Sequence, residues 1–151
     1  MKLLPIKQTF EENEAFKDNP DCENSLLATV EFFNRIGYNP PWIGYYAEKN
    51  GHLVGSAAFK GISKDNAVEV AYGVFPQCRS QGIGAEICRQ LVLLALKTDS
   101  TVKITARTFS KENHSAKVLR KNGFELLGTI WDEEDGDVWE WVYKQDKAPP
   151  Q

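Results

Sequence analysis

Hydrophobic and polar positions recur along the chain with two different periods, and these periods divide it into helices and strands. Residues 11–18 suit a short helix, and a longer helix is predicted from about Asn24 to Ile36, where apolar positions fall on one face. Gly37 is a typical end for that helix, because glycine readily adopts the conformation that follows a last helical turn. Asn39-Pro40-Pro41 then breaks the regular pattern.

Three strand-like runs, rich in β-branched and aromatic residues, follow this break. They are predicted at 42–47, 52–59 and 67–75. Asn50-Gly51 lies between the first two runs and is a strong signal for a hairpin turn. Since consecutive strands with short connections pair in opposite directions, we expect an antiparallel meander in this half of the chain.

The second half of the chain alternates helices with strands. A helix that two glycines open has a stripe of apolar residues at helical spacing, and an alternating run at 101–108 predicts a strand after it. Ser110 is the expected N-cap of a further helix, which Asn122-Gly123 ends. A hairpin over 124–131 and 138–143 completes a mixed α+β order, with a βαβ-like unit in this half.

Length and composition indicate one globular domain. The chain has 151 residues, of which 42% are hydrophobic and 26% are charged, and it contains no internal repeat or linker. We therefore expect a single domain over residues 1–145. The tail 146–151, which contains two prolines, is predicted to be flexible.

Charge and hydropathy argue against several classes of partner. The net charge is −3 at pH 7, whereas a protein that relies on phosphate contacts with nucleic acid is usually basic. No apolar run approaches the ~20 residues that span a bilayer, and Met1–Phe10 lacks the features of a signal peptide. We therefore expect a cytoplasmic protein that binds neither nucleic acid nor membranes.

Cysteine and histidine are too sparse to suggest a metal site. The three cysteines are Cys22, Cys78 and Cys88, an odd number without a Cys-x-x-Cys pair, and we expect them to be reduced packing residues. His52 and His114 are the two histidines and lie far apart in the sequence. No metal is therefore expected.

The chemistry concentrates where the third strand ends and a helix begins with Gly82 and Gly84. The first N–H groups of a helix lack partners within it, and the helix dipole adds partial positive charge, so this turn suits an anion. Glycine allows a phosphate to approach the backbone closely, and Arg79 can add a charged fork. The turn is neither a P-loop, because Ala85 replaces the required lysine, nor a dinucleotide fingerprint, because Ile87 replaces the third glycine.

The pattern Arg79-x-x-Gly82-x-Gly84 resembles the Arg/Gln-x-x-Gly-x-Gly/Ala motif of GNAT acetyltransferases. A second element, from Asn113 to Gly123-Phe124, resembles the Asn…Gly-Phe helix of the same superfamily. The phrases at 69–76 and 136–143 are similar to the branch that includes ribosomal-protein N-terminal acetyltransferases. The resemblance covers residues 42–144, approximately.

The resemblance implies the GNAT fold: a central, mostly antiparallel twisted sheet with a splayed parallel strand pair, flanked by about four helices. Acetyl-CoA would lie between strands 67–75 and 102–108, with its pantetheine arm against the backbone and its pyrophosphate on the glycine turn. The residues implied to bind this cosubstrate are Val74, Phe75, Arg79, Ser80, Gln81, Gly82, Ile83, Gly84, Ala85, Asn113, Ala116 and Arg120.

The implied reaction is direct attack of a primary amine on acetyl-CoA, and it needs a base for the amine and a proton for the leaving thiolate. Glu69 is the candidate base. Counting back from the motif, however, puts the family's glutamate at Val68. The alternative for Glu69 is a structural role, as a strand residue held in a salt bridge. Many relatives have a tyrosine that acts as the general acid where this chain has Arg120. The candidate acids are therefore Ser115 and Tyr143, or no residue donates the proton.

The acceptor would be a small-molecule or peptide amine. The acidic run at 132–137 is a solvated turn or, if it borders the acceptor cleft, a feature that favours a cationic amine. Trp131, Trp139 and Trp141 suit packing on the sheet, a homodimer contact or an acceptor-site wall. The alternative to an enzyme is a non-catalytic module that binds acyl-CoA as a sensor.

Overall fold

The computed structural model describes residues 1–62 and 65–145, so the predicted flexible tail at 146–151 lies outside the described residues. The chain forms a seven-stranded sheet with helices on both faces. The elements in chain order are β1 (Lys2–Pro5), α1 (Glu23–Ile36), β2 (Gly44–Lys49), β3 (His52–Ile62), β4 (Ala67–Val74), α2 (Ile83–Thr98), β5 (Lys103–Phe109), α3 (His114–Lys121), β6 (Phe124–Asp132) and β7 (Gly136–Tyr143).

The strands lie in the order β1-β2-β3-β4-β5-β7-β6, and one pair in the sheet is parallel. β4 runs parallel to β5, whereas every other neighbouring pair is antiparallel. This arrangement confirms the predicted mixed α+β class, with its meander in the first half and its single parallel pair in the second. The Asn50-Gly51 turn joins β2 and β3 as expected, with both residues at positive φ.

The N-terminal region differs from the prediction. β1 was not predicted, and it pairs antiparallel with β2. The helix predicted at 11–18 is wrong, because these residues form a series of turns around the buried Asn13. The Asn13 amide accepts from the Lys7 N–H at 2.8 Å and donates to the carbonyls of Lys7 and Thr9, and these bonds compete with a helical backbone. The described residues thus contain three α-helices, with one short 3₁₀ turn at Pro76–Cys78.

The N-cap predicted at Ser110 is also wrong. α3 begins at His114, and the Asn113 side-chain oxygen accepts from the Ala116 N–H at 3.0 Å. Asn113 has an extended backbone, as an N-cap requires, while Ser110 lies in a bend three residues earlier.

α2 packs closely on the centre of the sheet and thereby fixes the turn that precedes it. Its inner face is buried and includes Ile87 and Leu91, neither of which is exposed to solvent. The Asn122 side chain at the end of α3 donates to the Ala85 carbonyl at 3.2 Å, which joins α3 to the first turn of α2. On the opposite face of the sheet, the Tyr46 hydroxyl forms a 2.6 Å hydrogen bond with Ser25 of α1.

Candidate active site

The parallel pair β4–β5 opens into a gap towards the ends of both strands. The strands pair over three positions, from Ala67 with Lys103 to Glu69 with Thr105. Beyond this point β4 stays paired with β3, and β5 stays paired with β7, but β4 and β5 are not paired with each other. The sheet therefore divides between these two strands.

The backbone of β4 presents free hydrogen-bonding groups to this gap. In an antiparallel ladder, alternate residues direct their N–H and C=O groups to opposite sides of the strand. The Phe75 N–H donates to the Val54 carbonyl at 2.9 Å, so Phe75 directs its backbone towards β3. Tyr72 and Val74 must then direct theirs into the gap, where an extended amide-containing molecule can pair with them as a strand would. The predicted contact at Val74 suits this geometry, whereas Phe75 faces the other way and packs near Tyr46.

A cleft of about 420 Å³ occupies the gap. One wall is the end of β4 with the glycine turn and the start of α2, and the other wall is the first turns of α3. The lining residues are Tyr72, Gly73, Val74, Cys78, Arg79, Ser80, Gly82, Ile83, Gly84, His114, Ser115 and Val118.

The glycine turn gives one end of the cleft the geometry of an anion site. Ser80 and Gly82 both have left-handed backbones, with φ of 66° and 75°, so that successive N–H groups curve around a concavity. The Glu86 N–H donates to the Gly82 carbonyl, and the N–H groups from Ile83 to Ala85 precede that bond and have no acceptor within the helix. Together with the Arg79 guanidinium at the same end, these groups suit a pyrophosphate.

Two residues of the predicted coenzyme set are close to the cleft but outside its lining. Gln81 is exposed at the crest of the turn. Ala85 is part-buried, and its carbonyl accepts from the Asn122 side chain, so its N–H is the backbone group that remains for the coenzyme.

The residues predicted on α3 make other contacts. Ala116 is fully buried, and its N–H is bonded to the Asn113 cap. Arg120 lies over the Trp141 ring, with 5.0 Å from its Cζ to the ring centroid, and it also pairs with Glu112. Neither Ala116 nor Arg120 lines the cleft, and their contacts with the coenzyme stay predictions.

A second cavity of about 210 Å³ lies beside the first, on the sheet face opposite to α2. Its lining residues are Lys60, Glu69, Val70, Ala71, Arg107, Thr108, Phe109, Asn113, Ser115, Asp132, Asp135 and Val138. Ser115 lines both cavities, so they meet at the start of α3. Asn113, which was predicted to contact the coenzyme, lines this second cavity instead.

A row of alternating charges crosses the second cavity over four strands. The Lys60 Nζ is 3.2 Å from one oxygen of Glu69, and the Arg107 Nε is 3.7 Å from the other. The Arg107 Nη1 then lies 3.1 Å from the Asp132 carboxylate. Val68 is fully buried, so of the two candidate positions on β4 it is Glu69 whose carboxylate faces a cavity. The salt-bridge interpretation of Glu69 is therefore correct, and a role as base is compatible with it.

The acidic turn between β6 and β7 borders the second cavity. One Asp132 oxygen accepts from the N–H groups of Glu134 and Asp135, at 2.8 and 3.0 Å. These backbone bonds, with a smaller contribution from Arg107, hold the pKa of Asp132 below its ordinary value. Asp132 thus shapes the turn, while Asp135 adds another carboxylate to the cavity lining.

Sequence reasoning missed several residues of the cleft, of which Tyr72 and His114 are chemically notable. Burial, with a smaller contribution from the Cys88 thiol, raises the pKa of Tyr72 well above its usual range. Burial likewise raises the pKa of Cys88 to about 12. Strand alternation from Val74 could have indicated Tyr72, but His114 required knowledge of where α3 starts.

Most aromatic residues of the final hairpin contribute to packing, whereas Trp131 is 73% exposed. Trp141 is fully buried and donates its indole N–H to the Thr108 hydroxyl at 2.9 Å. Tyr143 packs against Phe124 with 5.5 Å between ring centroids, at the end of β7 that lies away from the gap. In the described part of the chain, Tyr143 lines neither cavity, so the structure does not bring this candidate acid to the cleft.

Two findings concern other classes of site. Among residues 1–62 and 65–145, no group of three or more His, Cys, Asp or Glu side chains is arranged to hold a metal ion. None of the helices in this described part is both long and apolar enough to cross a membrane.

Comparison with known proteins identifies the family. The family described as "Acetyltransferase (GNAT) domain" matches residues 9–125, most of the chain. The chain therefore belongs to the GNAT acetyltransferase family and is an acetyl-CoA-dependent N-acetyltransferase. No curated protein sequence matches it significantly.

Solved structures share the fold at low sequence identity. A spermidine N-acetyltransferase chimera from Vibrio cholerae and hSSAT has a TM-score of 0.70 and 14% identity, covering 95% of each chain. The ribosomal-protein-S5-alanine acetyltransferase from Vibrio fischeri has a TM-score of 0.63 and 20% identity, covering 83% of this chain and 72% of its own. An aminoglycoside acetyltransferase in complex with coenzyme A has a TM-score of 0.59 and 22% identity, covering 68% of this chain and 66% of its own. These likenesses establish the fold, and membership of the ribosomal-protein branch stays a prediction.

Proposed function

We propose that the chain transfers the acetyl group of acetyl-CoA to a primary amine by direct attack within a ternary complex. The observation that carries this proposal is the meeting of two cavities at Ser115, one with an anion site and free strand backbone, the other with a carboxylate on its wall. Such a junction holds two reactants in contact, which by itself lowers the barrier to a bimolecular reaction.

The coenzyme fits the first cavity from the glycine turn to the junction. The backbone N–H groups from Ser80 to Gly84 bind the pyrophosphate, and Arg79 adds a charge-assisted bond. The pantetheine arm pairs with the β4 backbone at Val74, which brings the thioester towards Ser115. An N–H group of β4 that faces the gap can then polarise the thioester carbonyl as the oxyanion forms.

The acceptor amine enters through the second cavity. Its charged lining residues are three carboxylates and two cations, so an ammonium group is attracted there. Glu69, which has Lys60 and Arg107 on either side, takes the proton of that ammonium directly or through water. Glu69 then passes this proton to solvent. The free amine attacks the thioester carbon and the C–N bond forms. Glu69 takes the second nitrogen proton as the C–S bond breaks to release the CoA thiolate.

The class of acceptor is a small-molecule or peptide amine. Solved relatives with the same fold include enzymes named for spermidine, for aminoglycosides and for a ribosomal-protein alanine, all of which offer amines. The second cavity is open at the acidic turn, which suits a cationic acceptor larger than the cavity itself. We further propose that residues 1–145 form a single domain. A homodimer with contacts through the aromatic final hairpin stays a prediction.

Release of free CoA thiol, measured over a panel of amines, tests the proposal. Wild type should release thiol with at least one cationic amine, and Gly82→Trp should not, because its side chain fills the anion site. Gly51→Trp is a matched control, since both glycines have positive φ and open space where a Cβ atom would lie, but Gly51 is in the β2–β3 turn. If wild type binds acetyl-CoA but releases no thiol with any amine, the non-catalytic sensor explains the cleft better.

A further inference from the structure

The leaving CoA thiolate needs a proton, and the residues at the junction narrow the possible donors. Because the two cavities meet at Ser115, the thiolate is released next to the first turn of α3. A serine hydroxyl is a poor acid at neutral pH. Burial, with a smaller contribution from the Cys88 thiol, raises the pKa of the Tyr72 hydroxyl further from neutrality. Cys78 lies in the turn at the anion end of the cleft.

We propose that His114 is the general acid of the reaction, which donates a proton to the CoA thiolate as the C–S bond breaks. His114 is adjacent to Ser115 and lines the same cleft, one turn of helix from Val118 on the same wall. His114 is exposed, and within residues 1–62 and 65–145 no hydrogen bond or ion pair occupies its side chain. Imidazole is the side chain whose proton exchange falls naturally near neutral pH. This inference rests on the proposed function.

The proton balance closes without another reactant. The amine nitrogen forms its bond to the acetyl carbon, and the electron pair of the C–S bond leaves on sulfur. The His114 imidazolium gives its proton to that sulfur, which leaves neutral imidazole and free CoA thiol. The acceptor ammonium loses two protons as it becomes the amide. Glu69 takes the first before attack and passes it to solvent, and it takes the second as the tetrahedral intermediate collapses. Exchange with solvent restores Glu69 and His114, so that each turnover releases one proton net.

The charged and titratable groups around His114 are few. From the other cleft wall, β4 presents Tyr72 and the glycine turn presents Cys78 and Arg79. On its own element, Lys117 is one turn further along α3, and Glu112, which precedes the helix, is paired with Arg120. The imidazolium therefore shares the cleft with a guanidinium and, once the coenzyme binds, with its phosphates.

Kinetics of the full chain test the inference. His114→Gln should lower kcat by about 100-fold, near the lower end of the effect of general acid–base catalysis, because a thiolate is itself a fair leaving group. The alkaline limb of the kcat profile, which reports loss of the acid's proton, should disappear in this variant. His114→Ala should recover part of its activity when imidazole is added, which a merely structural role would not allow.

Two controls keep this test separate from that of the proposed function. His52→Gln changes the other histidine, at the start of β3 and outside both cavities, and should behave as wild type. Diethyl pyrocarbonate should inactivate wild type and His52→Gln, acetyl-CoA should protect both, and the residual activity of His114→Gln should be insensitive. If wild type transfers acetyl groups and His114→Gln retains its kcat and alkaline limb, the inference is wrong although the proposed function stands. If wild type transfers none, the proposed function itself fails.

Discussion

Gly55 lies where β3, β4 and α2 approach one another closely, and replacing it by alanine should destabilise the fold. A Cβ atom at Gly55 would lie 2.2 Å from the Gly73 carbonyl oxygen, 3.2 Å from the Val74 Cα and 2.9 Å from the Ile87 Cδ1. The Ile87 side chain can turn aside. The other two atoms belong to the backbone of a paired strand, which cannot move without disturbing its ladder.

The expected loss of stability follows from these contacts. Overpacking by an extra methyl group costs about 1–3 kcal/mol, and one backbone clash with a second tight backbone contact puts Gly55→Ala near the upper end. Alanine lowers the conformational entropy of the unfolded chain relative to glycine, which stabilises the fold by about 0.4–1 kcal/mol. The free energy of unfolding should therefore fall by about 2 kcal/mol, and the Tm by about 4–8 °C for a chain of this size.

Thermal unfolding followed by circular dichroism measures this difference. Gly73→Ala is the matched control, since its Cβ would meet the Ser56 hydroxyl at 3.5 Å, an ordinary contact. Its Tm should be unchanged or slightly raised. The reasoning is refuted if the Tm of Gly55→Ala equals that of wild type, or if the Tm of Gly73→Ala falls as far as that of Gly55→Ala.

Three further changes test separate parts of the account. Arg79→Ala should raise the Kd for acetyl-CoA about 10–100-fold in calorimetry, as for one lost charged hydrogen bond, with kcat at saturation little changed; an unaltered Kd would remove Arg79 from the site. Asn113→Ala should lower the Tm by about 2–4 °C as α3 loses its cap, while Ser110→Ala should not; equal effects would contradict the assigned cap. The turn amides hold the pKa of Asp132 low, so its ionised form stabilises the fold above about pH 4, and this contribution fades as the pH falls. Asp132→Asn should therefore flatten the acid limb of stability against pH in urea unfolding; an unchanged limb would mean that Asp132 contributes nothing there.

Local patterns predicted the elements that local interactions build. The β2–β3 hairpin follows from Asn50-Gly51, and the anion site follows from two glycines at the start of an amphipathic helix. β1 escaped prediction because Lys2–Pro5 is too short to show a period, and its partner β2 is distant in sequence. The turns at 11–18 depend on the burial of Asn13, which a local pattern cannot reveal.

The candidate site likewise has one part that a local sequence pattern predicts and one part that it does not. The glycine turn is contiguous in sequence, so its motif could be recognised. The second cavity combines Lys60, Glu69, Arg107 and Asp132 from four strands, and the pairing of those strands is a property of the whole sheet. The choice between Ser110 and its neighbours as N-cap could not be made from residue type, since serine and asparagine both cap well.

The most direct test of the central claim is a calorimetric titration of acetyl-CoA into wild type, Gly82→Trp and Gly51→Trp. The account predicts that wild type and Gly51→Trp bind with the same Kd and that Gly82→Trp shows no binding heat while remaining folded by circular dichroism. Binding by Gly82→Trp with the wild-type Kd would contradict it, because the coenzyme would then lie somewhere other than the cleft between β4 and β5.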